Sequence, residues 1–238
     1  MNKILENINS FNDRFELWKT FIHETGVSTI AEIGVYKGDF AQEVLESCQG
    51  IEKYYMIDPW KNLSDWNKPA NMDNNTFEAY YLETIKKTDF AKKKRKVLRG
   101  KTTEVINEIE NESLDFIYID GDHTLKGISI DLINAWPKLK PEGFLAGDDF
   151  CPSIWQHSKK YEPTMVFPYA VYFAEAVGAT IYGLPHDQFL IEKESKEFKF
   201  IDLTESSKYK NVELRNQLVI LKSKKQKSIF QKLKRKIR

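Results

Sequence analysis

The sequence has little cysteine and no long apolar run. Its two cysteines, Cys48 and Cys151, are too few for a disulfide framework or a cysteine metal site. No apolar run approaches the ~18 residues of a membrane-spanning helix, and the N-terminus lacks a long apolar signal region. We therefore expect a cytoplasmic protein. With 41% hydrophobic residues among 238, a single domain with a sizeable core is expected.

Acidic residues are missing from residues 222–238, which carry nine lysines and arginines. Because the whole chain has a net charge of +1, the remainder carries about −8. Ile229, Leu233 and Ile237 are spaced by four, with Phe230 beside them, which predicts a short basic amphipathic helix. Such a helix can lie on the inner membrane surface. The alternatives are a frayed, solvated terminus and a contact with the acidic body of a partner subunit in a homo-oligomer.

The glycine fingerprint of dinucleotide-binding proteins, Gly-x-Gly-x-x-Gly, is also missing. The stretch Thr29–Phe40 instead has an apolar run at Ile30–Val35 and glycines spaced Gly-x-x-x-Gly, at Gly34 and Gly38. This order predicts a buried strand that turns sharply into a helix, where glycines allow a ligand to approach the backbone. A close pyrophosphate contact is disfavoured. An ordinary strand-to-helix turn is the alternative.

Apolar runs alternate with helical patterns along the chain, which predicts a mostly parallel α/β sheet with helices on both faces. The predicted strands are Ile30–Val35, Lys53–Asp58, Lys96–Arg99, Leu114–Ile119, a strand that begins at Phe144–Ala146, Thr180–Tyr182 and Phe189–Ile191. The predicted helices cover about residues 11–22, 40–50, 76–90, 102–110, 128–136 and 169–177. Residues 59–75 form a long polar connection, which is typical of a lid or a binding loop.

Polar residues collect where the predicted strands end. Ligands of such sheets bind outside the carboxyl ends of the strands, so this regularity predicts a site there. The residues are Glu32, Asp58, Asp120, Asp122, His123, Asp148 and Asp149.

Five of these positions suggest specific chemistry. Asp58 closes the second strand 20 residues after Gly38, where an acid typically binds a ribose hydroxyl, although a solvated strand-end acid is the alternative. Asp120, Asp148 and Asp149 end two neighbouring strands, and a divalent cation such as Mg²⁺ would relieve their repulsion. The alternative is that one of the pair at 148–149 caps the following segment. His123 is suited to accept a proton from a hydroxyl, or else to cap a helix or pack on a cofactor.

Four motifs in this order resemble class I S-adenosylmethionine-dependent methyltransferases. They are Glu32-Ile-Gly-Val-Tyr-Lys-Gly38, Met-Ile-Asp58, Asp115-Phe-Ile-Tyr-Ile-Asp-Gly-Asp-His123 and Trp136-Pro-Lys-Leu-Lys-Pro-Glu-Gly-Phe-Leu-Ala-Gly-Asp-Asp149. The resemblance covers roughly residues 30–193. It is closest to bacterial enzymes related to the catechol- and caffeoyl-CoA-type O-methyltransferases. It implies a Rossmann-like fold with a seven-stranded sheet and one antiparallel strand near the edge.

The resemblance also implies roles for single residues. Glu32, Gly34 and Gly38 match the motif that holds the methionine end of the cofactor, Asp58 matches the ribose-binding acid, and Thr102 stands where a residue lies near the adenine. Asp120 is placed at both the cofactor and the catalytic centre. Asp120, Asp148 and Asp149 match the metal positions of the metal-dependent members. His123 falls where the plant-type enzymes have a catalytic lysine, Asp149 where many relatives have asparagine, and Tyr36 at the middle glycine of the fuller motif.

The sequence is therefore interpreted as an S-adenosylmethionine-dependent O-methyltransferase that acts on a hydroxyl of a small molecule or sugar precursor. A divalent metal, most simply Mg²⁺, would assist. The predicted segments are an N-terminal helical segment (1–28), the methyltransferase domain (29–203) and a C-terminal extension with the basic tail (204–238). The alternatives are an inactive cofactor-binding module and a nucleic-acid methyltransferase. Against the latter, the body is acidic, and the Asn/Asp-Pro-Pro-aromatic motif of DNA amino-methylating enzymes is missing.

Overall fold

The computed structural model describes residues 2–158, 160–193 and 197–209. Its helices are α1 (Asn2–Glu6), α2 (Arg14–Thr25), α3 (Asp39–Ser47), α4 (Asn74–Lys87), α5 (Thr102–Val105), α6 (Leu125–Ala135) and α7 (Val166–Val177). Its strands are β1 (Thr29–Ile33), β2 (Lys53–Asp58), β3 (Arg95–Arg99), β4 (Leu114–Ile119), β5 (Leu139–Gly147), β6 (Thr180–Leu184), β7 (Gln188–Glu192) and β8 (Lys199–Asp202).

All eight strands form one sheet in the order β3-β2-β1-β4-β5-β7-β6-β8. Strand β7 runs antiparallel to both of its neighbours, and the other pairs are parallel. The predicted α/β Rossmann-like class with a mostly parallel sheet is confirmed. The predicted number of seven strands is too low by one, because β8 adds to the edge beside β6. That strand is only four residues long and half exposed, so its sequence lacks the apolar run of a buried strand.

Strand β5 begins earlier than its apolar pattern predicts. The proline and glycine of Pro141–Gly143 are typical of a turn, but this stretch lies inside the strand. The pairing of β5 with β4 shifts register between Leu114 and Phe116, and Glu142 has a φ of +62°. A bulge therefore accommodates the turn residues without ending the strand.

The two faces of the sheet bury separate cores, because successive strand residues point to opposite faces. Ala31 and Ile33 belong to the core that includes residues of α6 and α7. Ile30 belongs to the core that includes residues of α2 and α3. Burial on both faces explains the continuous apolar runs of the inner strands.

Helix α2 is held at both ends by local signals. The Asp13 side chain accepts a hydrogen bond from the backbone N–H of Glu16, and Gly26 ends the helix with a φ of +71°. Its residues Leu17, Trp18 and Phe21 are buried. This packing places the first residue of α2 near the ends of β4 and β5.

The predicted division at residues 28 and 203 stays a prediction. The predicted tail helix lies outside the described residues. Within residues 2–158, 160–193 and 197–209, no helix is both long and apolar enough to cross a membrane.

Candidate functional site

The turn after β1 depends on two glycines with positive φ. Gly34 has a φ of +91°, and a Cβ there would lie 2.1 Å from the carbonyl oxygen of Asp120. Gly38 has a φ of +75°, and a Cβ there would lie 2.8 Å from Cγ2 of Thr84 on α4. Only glycine satisfies both the backbone conformation and the close approach. Gly34 therefore allows the β1 and β4 ends to meet, whereas Gly38 serves the packing of α4.

Asp58 ends β2 and braces this turn. One carboxylate oxygen accepts from the backbone N–H of Tyr36 at 2.9 Å and the other from that of Trp60 at 2.6 Å. Burial raises the pKa of Asp58, although backbone hydrogen bonds from Tyr36, Trp60 and Val35 oppose this. Each oxygen accepts two or more hydrogen bonds when ionised, so capacity for a ligand hydroxyl remains.

Glu32 lies inside β1 and is buried almost completely. Its carboxylate accepts a hydrogen bond of 2.8 Å from the hydroxyl of Tyr54. Burial raises the pKa of Glu32 well above its usual range, against the effect of the Tyr54 bond. This acid is thus held at the base of the site by a neutral partner.

Thr102 begins α5 and points to an acid that the sequence analysis did not select. Its hydroxyl donates to Asp131 of α6 at 2.6 Å. Burial raises the pKa of Asp131 to about 7, although the bond from Thr102 lowers it. The pair links the loops after β3 and β4 on one wall of the site.

These residues line a single cavity of about 770 Å³ at the carboxyl ends of the strands. Five of the six predicted cofactor residues are in its wall; Gly38 is not. The volume is within the range of small-molecule sites. The five are Glu32, Gly34, Asp58, Thr102 and Asp120.

Two loops close the opposite part of the cavity, the first at residues 59–73 and the second at residues 151–158 and 160–165. Lys68 of the first loop donates from Nζ to the carbonyl oxygens of Glu162 and Pro163, at 2.8 and 3.1 Å. Asn67 donates from Nδ2 to the carbonyl of Lys160 at 2.9 Å. Burial lowers the pKa of Lys68. The sequence predicted a lid or binding loop in the first of these segments, and the second loop meets it across the cavity.

His123 lies between two of the strand-end acids. Its Nδ1 forms an ion pair with Asp149, and its Nε2 lies 3.4 Å from Oδ1 of Asp120. That Nε2 is shielded from solvent and lacks a hydrogen-bond partner among the described residues. One ligand atom from each of the three residues lies within 4.8 Å of the others, so the group is able to hold a metal ion. Asp149 has a φ of +58°, a strained conformation that recurs at functional sites.

The charge of His123 follows from these neighbours. Burial alone would lower the pKa of the ring, but Asp149 and Asp120 outweigh burial and raise it to about 10. The same contact lowers the pKa of Asp149 to about 2, against the effect of burial. At neutral pH the ring therefore carries the proton. His123 could act as the predicted base only after this proton has left the ring.

Asp148 is not a member of this group of three. One of its oxygens pairs with Arg14 of α2, and the other accepts from Nε2 of Gln188 at 2.5 Å. Arg14 also bonds Oδ2 of Asp120 at 2.9 Å. The structure thus brings Asp120 and Asp149 together with His123, whereas the third predicted metal ligand faces an arginine.

Sequence reasoning missed Arg14, Gln188, Asp131 and Lys68. Arg14 and Lys68 are basic residues among many, and Gln188 lies near the start of a strand far along the chain. Of these four residues, Asp131 is the one that its position in the sequence could have revealed. An acid at a position that is buried on an amphipathic helix requires a polar partner.

Comparisons with known proteins agree with this geometry. The family described as "Methyltransferase domain" matches residues 31–150, about half of the chain. A curated Sinorhizobium fredii protein of uncharacterized function, y4gI, is 23% identical over 163 residues. The match covers 65% of this chain but only 17% of that protein.

Solved structures share the fold. A Staphylococcus aureus protein proposed to be a caffeoyl-CoA O-methyltransferase is 18% identical with a TM-score of 0.56, covering 76% of this chain and 85% of its own. The SAH-bound Podospora anserina methyltransferase PaMTH1 is 13% identical with a TM-score of 0.53, covering 81% and 87%. The chain belongs to the methyltransferase-domain family, and its fold is that of the class I S-adenosylmethionine-dependent methyltransferases.

Proposed function

We propose that the protein transfers a methyl group from S-adenosylmethionine to a hydroxyl of a small molecule or sugar precursor, with help from a divalent cation. One observation carries this proposal. A single cavity has the turn after β1, Asp58 and Thr102 in its wall together with His123 and Asp120. A cofactor and an acceptor bound there would be held side by side. The O-methyltransferase descriptions of the structural neighbours support the choice of a hydroxyl acceptor.

The residues fit the cofactor. Asp58 offers two carboxylate oxygens to a ribose, and Gly34 leaves the β1 end without a side chain. Glu32 lies at the base of the site, and Thr102 lines the wall where the resemblance places the adenine. The bound cofactor supplies an electrophilic methyl group on a sulfonium. The task of the protein is then to position the two reactants in line.

The residues also fit a cation. A cation would have to replace the proton on Nε2 of His123, and Asp120 and Asp149 supply oxygens beside that nitrogen. Oxygen ligands suit Mg²⁺, whereas an imidazole in the set also suits Mn²⁺, Fe²⁺ or Zn²⁺. Such a cation would lower the pKa of an acceptor hydroxyl.

The chain itself would contribute three further functions. In the protein without a bound cation, His123 and Asp149 form a pair that would hold and release a proton beside the acceptor. Lys68 and Glu162 join the two loops over the cavity and would exclude water from it. Arg14 keeps two strand-end carboxylates in place.

Transfer of a labelled methyl group tests the proposal. The protein and labelled cofactor are incubated with fractionated cell extract, and mass spectrometry identifies the labelled product. The proposal expects a labelled hydroxyl in a small molecule or glycan precursor, and less label with the matched variant Asp58→Ala at low cofactor concentration. Label on nitrogen or in nucleic acid contradicts the acceptor class. Tight cofactor binding without label in any fraction would favour the cofactor-binding module.

Chelation tests the cation separately. Exhaustive removal of divalent cations should abolish methyl transfer, and Mg²⁺ or Mn²⁺ should restore it. Full activity in the chelated protein would eliminate the cation and leave activation of the hydroxyl to His123.

The membrane role of the tail is a further proposal. Flotation with anionic vesicles at low and high salt, against a chain that ends at Leu221, tests it.

A further inference from the structure

Arg14 is the first residue of α2 and reaches the ends of two strands. Its Nη1 bonds Oδ2 of Asp120 at 2.9 Å and pairs with Oδ2 of Asp148. The side chain is about 29% exposed and lines the cavity. One guanidinium therefore bridges two of the three acids that the sequence predicted as metal ligands.

Gln188 fixes the other side of Asp148. This fully buried amide donates to Oδ1 of Asp148 at 2.5 Å. Its own oxygen accepts from Nε1 of Trp18 at 2.7 Å and from the hydroxyl of Tyr118 at 2.8 Å. Oδ1 of Asp148 also accepts from the backbone N–H of Asp149. Both oxygens of Asp148 are thus occupied by protein donors.

Helix α2 contributes to both sides of this arrangement. Trp18, which orients Gln188, lies one turn after Arg14 on the same helix. Asp148 is therefore held between Arg14 and the buried hydrogen bonds of Gln188 with Trp18 and Tyr118. A divalent cation at Asp148 would be repelled by the positive charge of the Arg14 guanidinium. To bind there, it would have to break the ion pair between Arg14 and Asp148.

We propose that the Arg14 guanidinium neutralises the Asp120–Asp148 pair and thereby confines a divalent cation to Asp120, His123 and Asp149. This inference rests on the cation site in the proposed function. Arg14 is a positioning residue here, because it acts through the carboxylates and selects which of them faces the metal.

Binding of Mn²⁺ measured by calorimetry tests the inference without turnover. In Arg14→Met, the freed Asp148 and Asp120 oxygens should raise Mn²⁺ affinity at least tenfold. Asp148→Asn should remove this gain in the Arg14→Met background, yet change the affinity of the unmodified protein less than tenfold. The charge-retaining Arg14→Lys should show a smaller gain than Arg14→Met. Thermal unfolding of each variant confirms that it is folded.

The inference is overturned if Arg14→Met binds Mn²⁺ no more tightly than the unmodified protein, or if the gain survives Asp148→Asn. Should Arg14→Met fail to fold, Asp148→Asn alone decides, because a loss of tenfold or more would make Asp148 a metal ligand and overturn the inference. If the unmodified protein binds no Mn²⁺ while Arg14→Met does, the cation in the proposed function and its confinement both fail, and only the neutralisation of the Asp120–Asp148 pair by Arg14 stands. Loss of methyl transfer with unchanged metal binding would count only against the proposed reaction.

Discussion

Replacing Asp131 by asparagine should make the protein more stable at alkaline pH. Asp131 is buried beside the cavity, and its pKa is raised to about 7 from the ordinary value of 3.8. Between these values the folded state binds the proton more tightly than the unfolded chain. Stability therefore falls as pH rises from about 4 to 7.

The magnitude follows from the two pKa values. Each unit is worth ~1.4 kcal/mol, so the full penalty of ionised Asp131 is about 4 kcal/mol. About 2.5 kcal/mol of this develops between pH 5 and pH 8, because part of the penalty is already present at pH 5. Asparagine keeps an oxygen for the Thr102 hydroxyl and carries no charge. The stability gain of Asp131→Asn should thus grow with pH.

Urea denaturation followed by tryptophan fluorescence at pH 5, 6, 7 and 8 measures this gain. The exposed Glu175→Gln serves as the matched control, because it removes an acid that stays in water and should show no such slope. Thr102→Val removes a bond that lowers the pKa of Asp131, so it should move the transition to higher pH. If the difference between Asp131→Asn and the unmodified protein stays constant within about 0.5 kcal/mol from pH 5 to pH 8, the reasoning is refuted.

Three further outcomes are expected. Asp58→Ala should weaken S-adenosylmethionine binding by about 1–3 kcal/mol in calorimetry, and unchanged affinity would refute the ribose assignment. Burial raises the pKa of Asp115, but Lys140 and neighbouring N–H groups outweigh burial and lower it to about 2. Asp115→Asn should therefore lower the free energy of unfolding by about 1–2 kcal/mol at pH 7. That cost should vanish as pH falls from 4 to 2, and a constant cost would contradict it. Lys68→Met should speed proteolysis within loop 59–73, because it loses the bond to Glu162, and unchanged cleavage would count against a closed lid.

The sequence predicts those parts of the fold in which local pattern and burial agree. Strands β2 and β4 occupy the predicted Lys53–Asp58 and Leu114–Ile119, because continuous apolar runs mark strands buried on both faces. Strand β8 lacks such a run, and the turn residues Pro141–Gly143 lie within a bulged strand. Both differences come from tertiary pairing, which a single stretch of sequence does not encode.

In the site, too, local pattern predicts some features, and tertiary contacts determine the others. Strand ends fix where Asp120, Asp148 and Asp149 lie, so their convergence was predictable from the alternation of elements. Their orientation was not. It depends on Arg14, 106 residues before Asp120, and on Gln188, 40 residues after Asp148. Contacts of such separation leave no periodic signal in the chain.

The partners of the acids divide the cavity into two electrostatic regions. Near the catalytic end, Asp120 and Asp149 face cations, namely Arg14 and the protonated His123. In the wall assigned to the cofactor, the acids face neutral groups: Glu32 faces the Tyr54 hydroxyl, Asp58 faces backbone N–H groups and Asp131 faces Thr102. In the described part of the chain, no cation lies within salt-bridge distance of these three.

Burial raises the pKa of these three acids, and a cationic ligand would favour their ionised forms more than a neutral ligand would. S-adenosylmethionine carries a positive sulfonium, whereas the sulfur of its demethylated product is neutral. The cofactor wall should therefore bind the methyl donor more tightly than the product at low salt, and release of the product should follow from the loss of that charge. On the proposed function, the neutral partners in this wall and the cationic partners of Asp120 and Asp149 would favour the loss of charge from the cofactor as the methyl group moves.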